Sequence, residues 1–158
     1  PVAGPDQTDV VVSANHTTQL TPIVFQVDAT GTLALQLAAP PNTSACAAAP
    51  GGAGITSHTL TLQHADGTCE PAVFTRSRGG VATGTYTVSC TTPAATPCLE
   101  TDETLTATGL PSGPYLVHVR GAVGATTCWQ NDDSLSVPPQ SKTLARTLNL
   151  AKLTTPGC

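Results

Sequence analysis

The segment from Cys69 to Cys90 reads CEPAVFTRSRGGVATGTYTVSC and contains the pattern that decides the fold class. Apolar and polar residues alternate on both sides of Gly79-Gly80, which is the spacing of two β-strands rather than of a helix. A Gly-Gly pair between two such runs predicts a two-residue hairpin turn. In that register three pairs face each other: Val73 and Tyr86, Pro71 and Val88, and Cys69 and Cys90. Cα atoms at such positions lie about 4.5 Å apart, which suits a disulfide, so a Cys69–Cys90 bridge is predicted.

The other cysteines indicate an oxidising compartment. None of the six belongs to a C-x-x-C motif, and no two histidines have the spacing of zinc ligands, so disulfides are favoured over metal binding. A local Cys90–Cys98 bridge is the rival to the hairpin bridge. If Cys69 pairs with Cys90, three pairings remain possible among Cys46, Cys98, Cys128 and Cys158, and the sequence does not choose between them. We expect an extracellular, cell-surface or periplasmic protein.

The period-two pattern extends over most of the chain and predicts an all-β fold. Nine to eleven short strands separated by turns are typical of an antiparallel β-sandwich, here stapled by disulfides. We expect one domain over residues 1–158, with residues 1–7 flexible and a long Pro/Ala/Gly-rich loop over 40–54. Residues 23–27 and 33–37 are predicted to form a hairpin, and a second is predicted from 105–107 to 115–119.

Composition and charge exclude two classes of partner. The 158-residue chain carries six Lys and Arg and a net charge of −4, so it has no basic surface for nucleic acid. No apolar run reaches the roughly 18–20 residues of a transmembrane helix. The expected partners are other extracellular proteins or copies of the same chain.

Two groups of acidic residues are the candidates for a metal site. They are Glu100, Asp102 and Glu103 in one predicted turn, and Asp132 and Asp133 in another. Oxygen ligands from neighbouring loops could bind Ca²⁺, although Asp and Asn are also the ordinary residues of solvated turns. His58 and His64 share one predicted strand, but about 20 Å separates them, so they cannot hold one ion together. No other cofactor is expected.

Nothing in the sequence calls for catalysis. There is no G-x-S-x-G motif and no P-loop, and the cysteines are expected to be oxidised, so we predict that the protein is not an enzyme. Trp129 follows Cys128 directly, which favours packing against a disulfide over display at a surface. Asn15 and Asn42 each begin an N-x-[ST] glycosylation pattern.

The stretch GLPSGPYLVHV at 109–119 carries a family resemblance. It resembles the L-P-x-G-x-Y-x-V-x-V strand of prealbumin-like and Ig-like β-sandwich modules, which include carboxypeptidase regulatory-like and Cna-B-type domains of secreted and surface proteins. The resemblance implies a stalk, spacer or adhesive unit. With only Lys142 and Lys152 available, we do not expect the Lys–Asn isopeptide of Cna-B domains. The run CWQNDD at 128–133, followed by VPP, also looks like that of cysteine-bearing bacterial surface lipoproteins.

Four functional hypotheses follow. The first is a non-catalytic secreted or surface module for adhesion or extracellular assembly. The second is a calcium- or small-ligand-binding extracellular domain. The third is a filament subunit whose uncharged Val10-Val11-Val12 segment pairs with a neighbour's sheet edge, unless that segment is the first strand of its own sheet. The fourth is a protease inhibitor that presents residues 40–54 or 91–98 as a rigid loop.

Overall fold

The structure, a computed structural model, describes residues 14–15 and 29–158, and within them it contains ten β-strands and no helix. The all-β prediction is therefore confirmed. The strands are β1 (Thr30–Ala38), β2 (Ser57–His64), β3 (Ala72–Arg78), β4 (Val81–Val88), β5 (Thr96–Pro97), β6 (Glu103–Pro111), β7 (Gly113–Val123), β8 (Thr126–Val137), β9 (Thr143–Asn149) and β10 (Ala151–Lys152).

Two five-stranded sheets pack face to face. The first sheet has the order β4-β3-β6-β1-β9 and the second the order β10-β8-β7-β2-β5. Alternate residues of strands such as β1, β2 and β7 point into the core, as the sequence pattern predicts. The first sheet contributes side chains such as Leu35, Phe74 and Leu105, and the second contributes Leu62 and Val117 among others.

One strand pair departs from the expected antiparallel arrangement. β1 is antiparallel to β6 on one side but parallel to β9 on the other. Both edges of β1 are therefore occupied, so residues 33–37 have no free edge for the hairpin predicted with residues 23–27. Residues 23–27 themselves lie outside the described residues, as do residues 1–7 and Val10-Val11-Val12.

The predicted hairpin from 105–107 to 115–119 is wrong, because the two strands belong to different sheets. β6 pairs with β1 and β3, whereas β7 pairs with β2 and β8. Ser112 alone separates β6 from β7, so the chain crosses from one sheet to the other at this point. The hydroxyl of Tyr115, just after the crossing, donates a hydrogen bond of 2.8 Å to the carbonyl of Pro111 and holds the corner.

The hairpin of β3 and β4 has the predicted turn but a shifted register. Gly79 and Gly80 have φ values of 56° and 82°, as a type I′ turn requires. Beyond the turn Thr83 is an extra residue, a β-bulge, since Ser77 pairs with Ala82 while Arg76 pairs with Gly84. The bulge moves every later pair by one residue.

The consequence is that the predicted facing pairs of this hairpin are wrong. Tyr86 faces Phe74, and both are buried, while Val88 faces Ala72. Val73 lies on the opposite face of the sheet and is 61% exposed. The Cys69–Cys90 disulfide nevertheless forms, with Cα atoms 5.6 Å apart, because both cysteines lie beyond the ends of the paired strands.

The other two disulfides resolve the pairing that the sequence left open. Cys46 is bonded to Cys98, and Cys128 to Cys158. The predicted loop 40–54 lies between β1 and β2, and the Cys46–Cys98 bridge ties it to the segment before β6. Ala45 beside the bridge is buried. Each disulfide therefore fixes an irregular segment of chain onto the sandwich.

Candidate functional site

Glu103 is the centre of a buried ion-pair cluster at the start of β6. Only 5% of its side chain is exposed, and its carboxylate accepts hydrogen bonds of 2.8 and 2.7 Å from Nε and Nη2 of Arg76 on β3. The backbone N–H of Glu100 donates a further bond of 2.8 Å. Arg76 also donates to the carbonyl of Cys98 at 2.8 Å. The pair therefore links β3, β6 and the turn between Cys98 and Glu103.

The other two acids of this turn also have protein partners. Asp102, which is exposed, lies 3.1 Å from Nε of Arg78. Glu100 accepts bonds of 2.9 and 3.0 Å from the hydroxyl of Ser44 and one of 3.1 Å from the N–H of Ala45. Glu100 thus holds the loop 40–54 in place beside the Cys46–Cys98 bridge.

The environment of Glu103 keeps its carboxylate charged. Desolvation by burial raises the pKa of Glu103, but the hydrogen bonds from Arg76 and from the Glu100 amide lower it, as do the charges of Arg76 and Arg78. The net pKa lies below the ordinary value for a glutamate. Such a charge-assisted bidentate pair favours the ionised form over the protonated one.

His58 lies beside the cluster and is 1% exposed. Its Nδ1 accepts a hydrogen bond of 3.2 Å from the N–H of Leu99, so its proton is on Nε2, which has no partner in the described structure. Burial, and then the charge of Arg76, lower the pKa of His58 to about 4. This histidine is consequently neutral at physiological pH.

The second acidic group does not lie in a turn, which corrects the sequence interpretation. Asp132 and Asp133 are in the middle of β8, in the second sheet. Asp132 accepts bonds of 2.6 Å from Nδ1 of His118 and 2.7 Å from Nη1 of Arg120, both on β7. The hydrogen bonds from Arg120 and then from His118 lower the pKa of Asp132. Asp133 lies 3.6 Å from Arg146.

The structure does not unite the two acidic groups into one site. One group is on the first sheet and the turn before it, and the other is on the second sheet. Within residues 14–15 and 29–158, no three His, Cys, Asp or Glu side chains are arranged to hold a metal ion. The carboxylates that were candidates for calcium instead bind Arg, His, Ser and backbone groups of the same chain.

A third polar cluster lies at the end of β2. Nε2 of His64 is 2.8 Å from a carboxylate oxygen of Glu70, and its ring lies 4.8 Å from that of Tyr115, between centroids. Burial, and then the charge of Glu70, raise the pKa of Tyr115 to about 12. His64 and Ser112 both line an open cleft of about 530 Å³, so this cluster lies beside the crossing from β6 to β7.

The remaining candidate residues are placed as follows. Trp129 is buried, as expected, and its Nε1 donates a bond of 3.3 Å to the carbonyl of Ala53 in the long loop. Asn15 is exposed. Asn42 is half-buried, and its side-chain nitrogen, the glycosylation atom, donates to the carbonyl of Ala39 at 3.1 Å. Glycosylation at Asn15 and Asn42 stays a prediction.

Sequence reasoning missed the cations that neutralise the acids. Arg76 continues the inward-facing series of Ala72 and Phe74 on β3, so the alternation already directs it toward the core. A charged residue at an inward position needs a buried partner of opposite charge. That requirement was the available signal for the Arg76–Glu103 pair.

Comparisons with known proteins show a structural likeness but no family. No protein-family model matches the chain, and no curated protein matches it. Among solved structures it is similar to the minor pilin GBS52 of the Gram-positive pathogen Streptococcus agalactiae, with 16% sequence identity and a TM-score of 0.40. The likeness covers 84% of this chain and 48% of the pilin chain. In the described part of this chain, no helix is long and apolar enough to cross a membrane.

Proposed function

We propose that the protein is a non-catalytic extracellular β-sandwich module that serves in adhesion or extracellular assembly. The disulfide framework is the observation that carries this proposal. Three bridges in a chain of 158 residues fix the long loop, the base of the β3–β4 hairpin and Cys158 onto the sheets. Disulfides persist in oxidising compartments, which favours a location outside the cytoplasm.

The contacts of the ionisable side chains support a scaffold rather than a catalytic site. Glu103 and Arg76 satisfy each other inside the fold, and Asp132 engages His118 and Arg120. These groups use their charges to join strands and loops. Function is then carried by the surfaces that the rigid sandwich presents.

The proposal is tested by attachment of beads that carry the oxidised 158-residue chain at a defined density. We expect the beads to cluster with one another or to attach to a surface coated with extracellular matrix, several-fold above the control. The matched control is the same chain, reduced and alkylated, which has the same composition without the bridges. Equal attachment by the oxidised and the reduced form, both to other beads and to the coated surface, would contradict the proposal.

A further inference from the structure

The hairpin of β3 and β4 carries two exposed apolar side chains, one near its base and one beside its turn. Three large hydrophobic residues are exposed among the described residues, and two of them lie here: Val73 at 61% and Val81 at 69%. A single exposed valine is ordinary for a protein surface. The two do not form one patch, because Val73 pairs with Thr87 near the base of the hairpin whereas Val81 pairs with Arg78 beside the turn.

β4 is also an edge strand whose outer backbone groups are unpaired among the described residues. It is the terminal strand of the first sheet and pairs only with β3. Such an edge can template the addition of another strand, and natural proteins usually protect it with charged side chains, prolines or bulges. β4 has a bulge at Thr83, but the strand continues regularly from Thr85 to Val88.

The other sheet edges carry protective residues that β4 lacks. β9 contains Arg146, β10 contains Lys152, and β5 contains Pro97. In contrast, residues 79–99 include β4 and contain no charged residue at all. Among the strands that the structure describes, β4 is thus the edge with neither a charge nor a proline.

We propose that β4 pairs antiparallel with β4 of a second copy of the chain, which joins the two first sheets into one continuous sheet. This inference rests on the proposed role in extracellular assembly and identifies β4 as the edge through which two copies assemble. A two-fold axis places the same strand on both sides, so each β4 supplies donors and acceptors to the other. Each chain has a net charge of −4, and an uncharged edge lets two such chains meet without like charges in contact.

The experiment is sedimentation of the oxidised 158-residue chain over a wide range of concentrations, with two matched variants. Thr85→Lys places a charge on the exposed face of β4, and Thr106→Lys places the same charge on the same face of β6, within the sheet. Like charges opposite each other across strands destabilise pairing. We expect a concentration-dependent dimer for the wild type, weakened about tenfold or more in Kd by Thr85→Lys, and little changed by Thr106→Lys.

Hydrogen exchange on the wild type provides a measurement that does not depend on variant folding. If β4 pairs with β4, its amides become more protected as the protein concentration rises, while the amides of β9 do not. A chain that is monomeric at every concentration overturns the inference. So does a dimer that Thr106→Lys disrupts as strongly as Thr85→Lys, because contact is then through the sheet face. Dimerisation only after deletion of residues 1–28 overturns it as well, since that segment then occupies the edge.

The failure of this inference can be distinguished from the failure of the proposed function. A strictly monomeric chain whose beads still attach to matrix refutes only the β4 pairing. A chain that is monomeric and whose beads neither cluster nor attach refutes both the β4 pairing and the proposed function.

Discussion

At the scale of single residues, the Arg76–Glu103 pair is the polar interaction on which the cluster depends. Removal of one partner from a buried pair leaves an uncompensated charge, which costs about 3–5 kcal/mol. We expect Glu103→Gln to lower the free energy of unfolding by about 3 kcal/mol at neutral pH, measured by urea denaturation. The control is Asp102→Asn, whose ion pair with Arg78 is exposed and worth at most about 1 kcal/mol. Equal losses in the two variants would argue against a special role for Glu103.

Protonation of Glu103 makes the free energy of unfolding depend on pH. Because the pKa of Glu103 is lowered in the folded state, its contribution is present above the unfolded value of about 4.3 and is lost as the pH falls through the folded pKa. The stability gap between wild type and Glu103→Gln should therefore narrow in strong acid. A gap that stays constant with pH would mean that packing, not charge, explains the loss.

His58 acts in a different pH window. The unfolded chain binds a proton at His58 near pH 6.5, whereas the folded chain does so only at a pKa of about 4. The contribution of His58 to the free energy of unfolding is therefore fully present above pH 6.5. It decreases by about 3 kcal/mol as the pH drops toward 4. His58→Asn keeps an acceptor for Leu99 but does not titrate, so its unfolding free energy should vary less between pH 7 and 4. If the unfolding free energy of the wild type and of His58→Asn changed equally between pH 7 and 4, the lowered pKa of His58 would be contradicted.

At the scale of elements, the Cys46–Cys98 bridge should hold the long loop. The bridge closes a loop of 52 residues, which corresponds to about 4 kcal/mol of stabilisation in the chain-entropy model. We expect the double substitution Cys46→Ser and Cys98→Ser to expose residues 40–54 to limited proteolysis. The matched control, Cys128→Ser with Cys158→Ser, removes a bridge elsewhere and should leave the loop resistant. Cleavage of the loop at the same rate in both variants would show that other contacts hold it.

Local alternation predicted the strands well but not their partners. It identified the inward residues of β1, β2 and β7 because one face of each strand is buried. It could not distinguish a hairpin from a crossing between sheets at Ser112, since both need a short turn. Nor could it foresee the bulge at Thr83, whose single extra residue places Tyr86 and Val88 opposite Phe74 and Ala72 instead of Val73 and Pro71.

The candidate site was predictable only in part. The acids stood out because charge is scarce, with charged residues forming 10% of the chain. Their partners depend on which strands are neighbours: Arg76 meets Glu103 because β3 pairs with β6. Those two strands are separated by more than twenty residues, so no short motif records the contact.

At the scale of the whole molecule, the fold should not depend on calcium. A bound ion stabilises the native state in proportion to its occupancy, so calcium at the acidic groups would raise the melting temperature relative to a chelator. Because Glu103, Asp102 and Asp132 engage cations of the chain itself, we expect equal melting temperatures in calcium and in chelator. A rise of several degrees in calcium would support the calcium-binding interpretation.

Three disulfides fix irregular segments of the chain onto the sandwich, and the proposed role is that the surfaces of this sandwich join other molecules. The most direct test of this claim is the attachment count of beads that carry the oxidised chain, set against beads that carry the reduced and alkylated chain. The account predicts clustering or matrix attachment several-fold higher for the oxidised form. Attachment that is absent, or equal for the two forms, would contradict it.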